Sequence, residues 1–576
     1  MRKIIAKYVL LILITFAVSI YIYEYVMANK PIDTESDILY TQHKTEQGIL
    51  SNTNYTIDNP NVILNPYGNS PLSALIVFQT KDLTTTTVTI KGKDGAEDIK
   101  HTFTPTKVHI LPIYGLYAGY DNKVIIEASG SSKEITITTS PLPNDFSKVT
   151  DLSNNDFDTD EFYFTTPEEI GYTAAYDKNG EVRWYLIGDY KWDIQRLNNG
   201  HILLSSDKIL SKNYSIGLIE MDLLGKVYYE YAIPGGYHHD VYELNNGNLL
   251  LASNKYGRGT TEDVAVEIDR ATGGIVKEID LYNILPGEKK GNWFGMNSIN
   301  YDINTNSITI SGYNGNMIIN LDYPTLDINW VIADEDKVDD DYKQYLLKAN
   351  GDIDYPNKPE SINLISGNKM MFASEIDGKK HLLTYQIDYS NRTVKELDDY
   401  ELPTDEETYL EILGDDDYVI TQGHTLMEVQ NGKRVISMNV NSTLYNTKKM
   451  SLYANDVYTG VQGVRLGSLG ESATVKNHLL LGAKNDDSIL DKYKITLYKD
   501  VFGLKVKGTF KESEDVQIIL DNVLDKKTYN LLEAKDSDKK TTTSRYISED
   551  GIQGKYYIYL RINGTIYKLH KYVNFY

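Results

Sequence analysis

G-Y-H-H-D-V-Y-E-L-N-N-G-N-L-L-L-A-S, Gly236 to Ser253, sets two adjacent histidines and an aspartate just ahead of a tight turn and a strand built for burial. Leu-Asn-Asn-Gly carries the residues that tolerate a reversed backbone, and the L-L-L-A-S that follows is apolar and ends in small side chains. The same turn and strand recur as L-N-N-G-H-I-L-L-S-S from Leu197, N-T-N-S-I-T-I-S-G from Asn304 and I-S-G-N-K-M-M-F-A-S from Ile365. Weaker copies are G-D-D-D-Y-V-I-T-Q-G from Gly414 and V-K-N-H-L-L-L-G-A-K from Val475.

A second element alternates with the first: a hairpin of the form apolar-x-apolar-Asp-x-x-x-Gly-x-apolar. It reads A-A-Y-D-K-N-G-E-V-R-W-Y from Ala174, L-I-E-M-D-L-L-G-K-V-Y-Y from Leu218 and A-V-E-I-D-R-A-T-G-G-I-V from Ala265. Looser copies start at Ile318, Leu383 and Leu426. Spacings of about 42 to 51 residues match one four-stranded blade of a β-propeller. The expected fold is therefore all-β: a six-bladed propeller over residues 162–486, with five or seven blades as alternatives. Because strands crowd towards a propeller's axis, the small-residue strand is expected innermost. One helix is expected, around residues 339–348, as an insertion near the fourth blade.

Upstream, A-L-I-V-F-Q-T, T-V-T-I-K-G-K and K-V-I-I-E-A alternate with period two. Six or seven such strands predict a β-sandwich over residues 49–143. Residues 31–48 and 144–161 read as polar linkers, and residues 487–576 as a small C-terminal β-domain. Asp156, Asp158 and Asp160 imitate the start of a calcium loop. Glu161 stands where that loop needs glycine and Pro167 where it needs its closing carboxylate, so a solvated linker is the better reading.

Length and charge bound the function. A chain of 576 residues is long enough for two to four domains. A net charge of −23 lacks the basic footprint that nucleic acid demands. Without a single cysteine there is no disulfide, thiolate metal site or thiol nucleophile. No histidine or carboxylate cluster has metal-ligand spacing, and no cofactor motif is present. At the N-terminus Arg2, Lys3 and Lys7 precede an uncharged, mostly apolar run from Tyr8 to Tyr23. At 1.5 Å per residue it spans roughly 24 Å, against roughly 30 Å of hydrocarbon. Residues 1–30 are thus a signal peptide or a membrane anchor, and either places the rest outside the cytoplasm.

A family resemblance rests on particular strings. N-P-Y-G-N-S-P-L-S-A-L-I-V-F from Asn65, I-K-G-K-D-G, D-I-K-H-T-F and H-I-L-P-I-Y-G-L-Y, with G-Y-H-H-D and N-W-F-G-M-N-S-I-N-Y-D downstream, resemble bacterial arylsulfate sulfotransferases. The resemblance covers roughly residues 49 to 480. It implies an exported enzyme, with dimerisation as a family trait, that passes a sulfuryl group from an aryl sulfate to a phenol through a sulfohistidine. His238-His239-Asp240 matches the family's H-H-D, implying contacts to the sulfuryl or aryl oxygens. The family's D-W-x-H-x-N-S becomes Asn292-Trp293-Phe294-Gly295-Met296-Asn297-Ser298. Trp293 and Asn297 are kept as candidate substrate contacts beside Asp240, but the histidine is Gly295.

Further departures follow. The family arginine falls on Tyr313, the nucleophilic histidine on Pro359, and a D-N pair on Ala373-Ser374. Proline offers no nucleophile, and glycine no donor beyond its backbone. Tyr313 is read as a phenolic ligand or a packed channel side chain. His424, Lys255 and Arg258 are candidates for the channel or for ordinary loops. Two functions stay open: a sulfotransferase, or a relative acting on another small anion, with a rearranged site; or a non-catalytic binding or surface-interaction propeller.

Overall fold

The computed structural model describes residues 42–575, apart from 43–44, 47, 50, 53, 156, 169–170, 208, 212–213, 256–257, 271–272, 454–473, 477–483, 486–487, 501–502, 522–525, 549–551 and 553. The N-terminal run expected to be a signal peptide or anchor lies outside them. No helix among the described residues is long and apolar enough to cross a membrane.

Six sheets, each built on four antiparallel strands, carry the central region. Five of the six run outwards in chain order. The first, for example, takes Ile194–Arg196, Ile202–Ser205, Tyr214–Met221 and Val227–Tyr237. The two recurrent sequence elements are therefore the two hairpins of one blade. The first strands of the six sheets are Ile194–Arg196, Val241–Glu243, Met296–Asp302, Glu360–Ile365, Thr408–Ile412 and Leu444–Met450.

These first strands close a ring through side chains that reach a neighbouring blade, five to its backbone and one to a side chain. Glu243 Oε2 accepts from Asn198 N at 2.7 Å, and Asp240 Oδ2 from Ile299 N at 2.7 Å. Ser298 Oγ accepts from Ile362 N at 3.0 Å, and Ser361 Oγ from Leu410 N at 2.8 Å. Glu411 Oε2 accepts from Lys449 N at 2.7 Å, and Asn446 Nδ2 returns to Asp193 Oδ1 at 2.5 Å. Polar side chains at the inner rim thus satisfy edge donors that would otherwise be orphaned.

The ring corrects one expectation. The small-residue strands Ile202–Ser205, Leu249–Ser253, Ser307–Gly312 and Lys369–Ile376 stand second from the axis. They are apolar because both of their faces pack between neighbouring blades: Leu249, Leu250, Leu251 and Ala252 are all buried. The innermost strands are more polar because one face meets the channel.

The sixth sheet also departs from expectation. It joins Leu444–Met450 to Phe162–Pro167, Ala174–Tyr176 and Val182–Tyr185, so one blade unites strands from both ends of the propeller. Of the weak copy at 475–484, Thr474–Lys476 pairs in parallel with the outer strand of the first blade, and 477–483 lie outside the described residues. Val149–Asn154, expected in a linker, is a fifth strand on the blade of Lys433–Val440. The helix expected over 339–348 is a single 3-10 turn, Asp340–Tyr342, pinned by buried Tyr342 through its hydroxyl to Pro286 O at 3.2 Å.

In the N-terminal domain, five strands replace the expected six or seven. Ala74–Ile90 and Ile99–Ile113 are long, so A-L-I-V-F-Q-T and T-V-T-I-K-G-K are two ends of one strand. Register shifts between Gln79 and Thr86 mark where the period-two pattern breaks. This domain shares a core with the propeller, where Phe78, Phe103 and Ile126 join Tyr163, Tyr176 and Met438. Residues 478–576 form a separate compact unit of a five-stranded and a three-stranded sheet around Val506, Ile518 and Leu560.

Candidate functional site at the channel mouth

The channel enclosed by the first strands has a volume of about 760 Å³. His239, Asp240, Asn297, Ser361, Tyr409, Tyr445, Glu411 and Lys448 are among its lining residues. The site grows from the peptide ahead of the second blade. Gly235 holds φ = 94°, and a Cβ there would stand 1.8 Å from Asn254 O, so only glycine lets the chain pass this close. The next turn sends two imidazoles in different directions.

His238 is fully buried. Its Nε2 lies 3.0 Å from Ser253 O and its Nδ1 2.8 Å from His239 Nδ1. A carbonyl can only accept, so His238 Nε2 carries the proton. In the neutral ring Nδ1 is then an acceptor, and His239 Nδ1 must be the donor. His239 Nε2 is left with its lone pair. Burial pushes the pKa of His238 down, and burial together with His238 pushes that of His239 well down, so both rings are neutral at physiological pH. His239 holds φ = 58°, a left-handed backbone uncommon outside glycine. The Trp192 ring stands 4.5 Å from its own, and the hydroxyls of Tyr237 and Tyr445 donate to its carbonyl.

Beside the imidazoles lies a charged group of which the sequence analysis named only Asp240. Burial and Asp193 push the Asp240 carboxyl up to about 7, and burial pushes Glu411 up to about 7 as well. Burial opposes charge on Lys448, but Asp193, Glu411 and Asp240 outweigh it and hold the ammonium above its usual range. Lys448 Nζ is 3.9 Å from Asp193 Oδ1. A signal for these residues exists: D-I-Q-R, D-V-Y-E, S-I-N-Y and Y-L-E-I each stand just upstream of a recurrent turn, where the channel strand falls.

Tyr313, Gly295 and Pro359 are brought together on the adjoining blades. Tyr313 N donates to Gly295 O at 2.9 Å, and Lys380 Nζ lies 5.5 Å from the Tyr313 ring centroid. Lys380 in turn pairs with Glu360, the neighbour of buried Pro359. Burial and the Glu360 carboxylate push the Tyr313 phenol up, which keeps it protonated. Glu407 connects this group to the imidazole side, since it accepts from Tyr409 and the Tyr409 ring stands 4.0 Å from Tyr445.

Other candidates go elsewhere. Trp293 turns from the channel and donates Nε1–H to Asp263 Oδ2 at 2.8 Å. Asn297 lines the channel and accepts from Ser311 Oγ. Ser374 exchanges hydrogen bonds with the Asn357 backbone. Lys255 pairs with Glu278, and Arg258 with Asp263 and Asp280. His424 is exposed at a hairpin turn outside the channel lining. Asp158 pairs with Lys178, and no group of metal-ligating side chains forms among the described residues.

Residues 61–141 match the arylsulfotransferase Ig-like domain. The arylsulfate sulfotransferase AssT of Lelliottia amnigena is 30% identical over 92 residues, a stretch covering 14% of this chain and 15% of that relative. Among solved structures, streptogramin B lyase aligns over 65% of this chain and 99% of its own at 16% identity and a TM-score of 0.30. The periplasmic gluconolactonase of Pseudomonas aeruginosa aligns over 64% and 100% at 11% identity and a TM-score of 0.31. TM-scores this low bear on neither ligand nor activity. Residues 147–455, just over half of the 576, match the arylsulfotransferase (ASST) domain, and the chain therefore belongs to the arylsulfotransferase family.

Proposed function

We propose that the protein transfers sulfuryl groups from aryl sulfates to phenols at its channel mouth, with the chemistry moved from position 359 to the imidazole pair. One observation carries this reading: a neutral imidazole, a carboxyl with a pKa of about 7 and a charged ammonium, His239, Asp240 and Lys448, line the same cavity. Sulfuryl transfer, like phosphoryl transfer, needs a nucleophile, compensation for charge on equatorial oxygens and a proton for the leaving oxygen. Lys448 supplies the positive charge. Asp240, raised into the working range, is suited to give its proton to the departing phenolate.

A second reading is a binding propeller without turnover. It is favoured by Gly295, Tyr313 and Pro359, which remove two imidazoles and a guanidinium from the family's set, and by the carboxylates around Lys448, which repel an anion. Release of p-nitrophenolate from p-nitrophenyl sulfate, with phenol as acceptor, separates the two. Phenol-dependent release above the uncatalysed rate is expected. Binding of the aryl sulfate in a calorimeter with no release would leave the second reading standing. The family and the N-terminal segment also support an extracytoplasmic protein, held at the membrane or secreted.

A further inference from the structure

We infer that His239 Nε2 is the atom that takes the sulfuryl group, with His238 holding the displaced proton. The inference rests on the transfer reading above and names its nucleophile, which the family's alignment leaves without a residue.

The argument begins at a carbonyl. Ser253 O accepts from His238 Nε2, which fixes one tautomer and then the next, as in a triad whose outer member orients the inner one. The relay ends at His239 Nε2, which has no hydrogen-bond partner among the described residues, is not a sealed buried atom, and belongs to a ring on the channel wall. Four other described imidazoles fail this test. His109 has Thr80 and Thr86 on its two nitrogens, His201 and His381 are tied to Glu220 and Asp399, and His424 is off the channel. Two left-handed residues, Trp192 at φ = 64° and His239 at φ = 58°, face each other here. Such a backbone conformation persists only where the surrounding structure over-determines it.

The step balances. The Nε2 lone pair forms the N–S bond while the S–O(aryl) bond breaks, and its electrons leave on the phenolate oxygen, which takes the Asp240 proton. As Nε2 becomes substituted, the Nδ1 proton of His239 passes 2.8 Å to His238 Nδ1. In the return half, the acceptor phenol gives its proton to Asp240 and its oxygen attacks sulfur. The N–S electrons return to Nε2, and the proton returns from His238. His238 touches no substrate and is a positioning residue.

Two measurements on the full chain test this. Diethyl pyrocarbonate at neutral pH, with fragment-ion mapping, should modify His239 at least tenfold faster than His238. In a single turnover with p-nitrophenyl sulfate, a burst of p-nitrophenolate should accompany one SO3 on His239. His239→Ala should lose the burst at least a hundredfold with an unchanged melting temperature, and added imidazole should restore part of it. A burst whose SO3 maps to His238, Tyr313 or His424 overturns the assignment and leaves the transfer reading intact. Rapid labelling of His239 with no burst overturns the transfer reading. Protection of His239 from the reagent overturns the tautomer relay itself.

Discussion

Lys380 Nζ lies 2.6 Å from Glu360 Oε1, and this buried ion pair sits immediately beyond Pro359. The other oxygen, Oε2, accepts from Thr408 N at 3.0 Å, so the carboxylate also ties the fourth blade to the fifth. A buried pair gives little net stability, but breaking it leaves a bare charge, which costs about 3–5 kcal/mol. Lys380→Met should therefore destabilise strongly in urea unfolding, while Lys380→Met with Glu360→Gln should recover most of the loss. Equal destabilisation by the single and double changes would show that Lys380 acts by packing on Tyr313 instead.

The channel carboxyls should stabilise the fold in acid and lose that contribution as pH rises to neutrality. Asp240 and Glu411, raised to about 7 by burial, bind protons in the folded chain that the unfolded chain has already released. Their contribution is fully present below their unfolded values near 4 and is lost as pH rises through about 7, at about 1.4 kcal/mol per pH unit for each group. Glu220 has the opposite sign, because His201 and Arg270 overcome its burial and lower it to about 2. Its contribution is lost only in acid, below the window of interest. His238 and His239, pushed down by burial, oppose this by gaining stability as pH rises to about 6.5. The test is therefore differential: the change in melting temperature from pH 5 to pH 8 should be more positive in Asp240→Asn with Glu411→Gln than in the parent. An equal change in the two proteins would show that the channel carboxyls make no such contribution.

Trp293 should behave as a structural residue. Its indole donates to Asp263, which also pairs with Arg258, on the side of the blade away from the channel. Trp293→Phe keeps the ring and loses the hydrogen bond, a change worth about 1–3 kcal/mol when the acceptor is charged. Unfolding measurements should register it, while affinity for an aryl sulfate should stay within twofold. A tenfold loss of affinity at unchanged stability would put Trp293 back in the site.

Blades were legible in the sequence because each carries two hairpins with their own turn chemistry, as at Asp222–Lys226 and Leu244–Asn248. Their radial order was not. A strand of small apolar residues reads alike whether it crowds an axis or packs between two sheets, and Leu249–Ser253 does the latter. The closing strand Leu444–Met450 was missed for a related reason. It pairs with Phe162–Pro167, some 280 positions earlier, and no local pattern announces a partner that distant. The His-His-Asp string pointed to the channel, but the roles of the two rings depend on one carbonyl, Ser253 O, that no motif contains. Asp193, Glu411 and Lys448 meet only when the ring closes, which hid them from spacing arguments.

Rebuilding the family's site should require more than a nucleophile. Pro359→His alone places an imidazole beside the Glu360–Lys380 pair and leaves Gly295 and Tyr313 without donors for the sulfuryl oxygens. Donors of that kind are worth about 3 kcal/mol each in mutated enzymes. Pro359→His, Gly295→His and Tyr313→Arg together restore the set, but position 295 resists. Gly295 holds φ = 65°, and a Cβ there would lie 2.8 Å from Asn314 Nδ2. Asn314 itself donates to Asn292 O at 2.8 Å. The triple variant should consequently melt below the parent, and adding Asn314→Gly should recover only part of the loss, because the backbone φ of 65° and the Asn314 backbone N at 3.1 Å remain. In single turnovers with p-nitrophenyl sulfate, the single variant should carry SO3 on His239 only, whereas the relieved triple variant should carry a second SO3 on the histidine introduced at 359. If Pro359→His alone is sulfated at 359 as fast as the relieved variant, the lost donors were dispensable, and the correspondence drawn for Gly295 and Tyr313 is wrong.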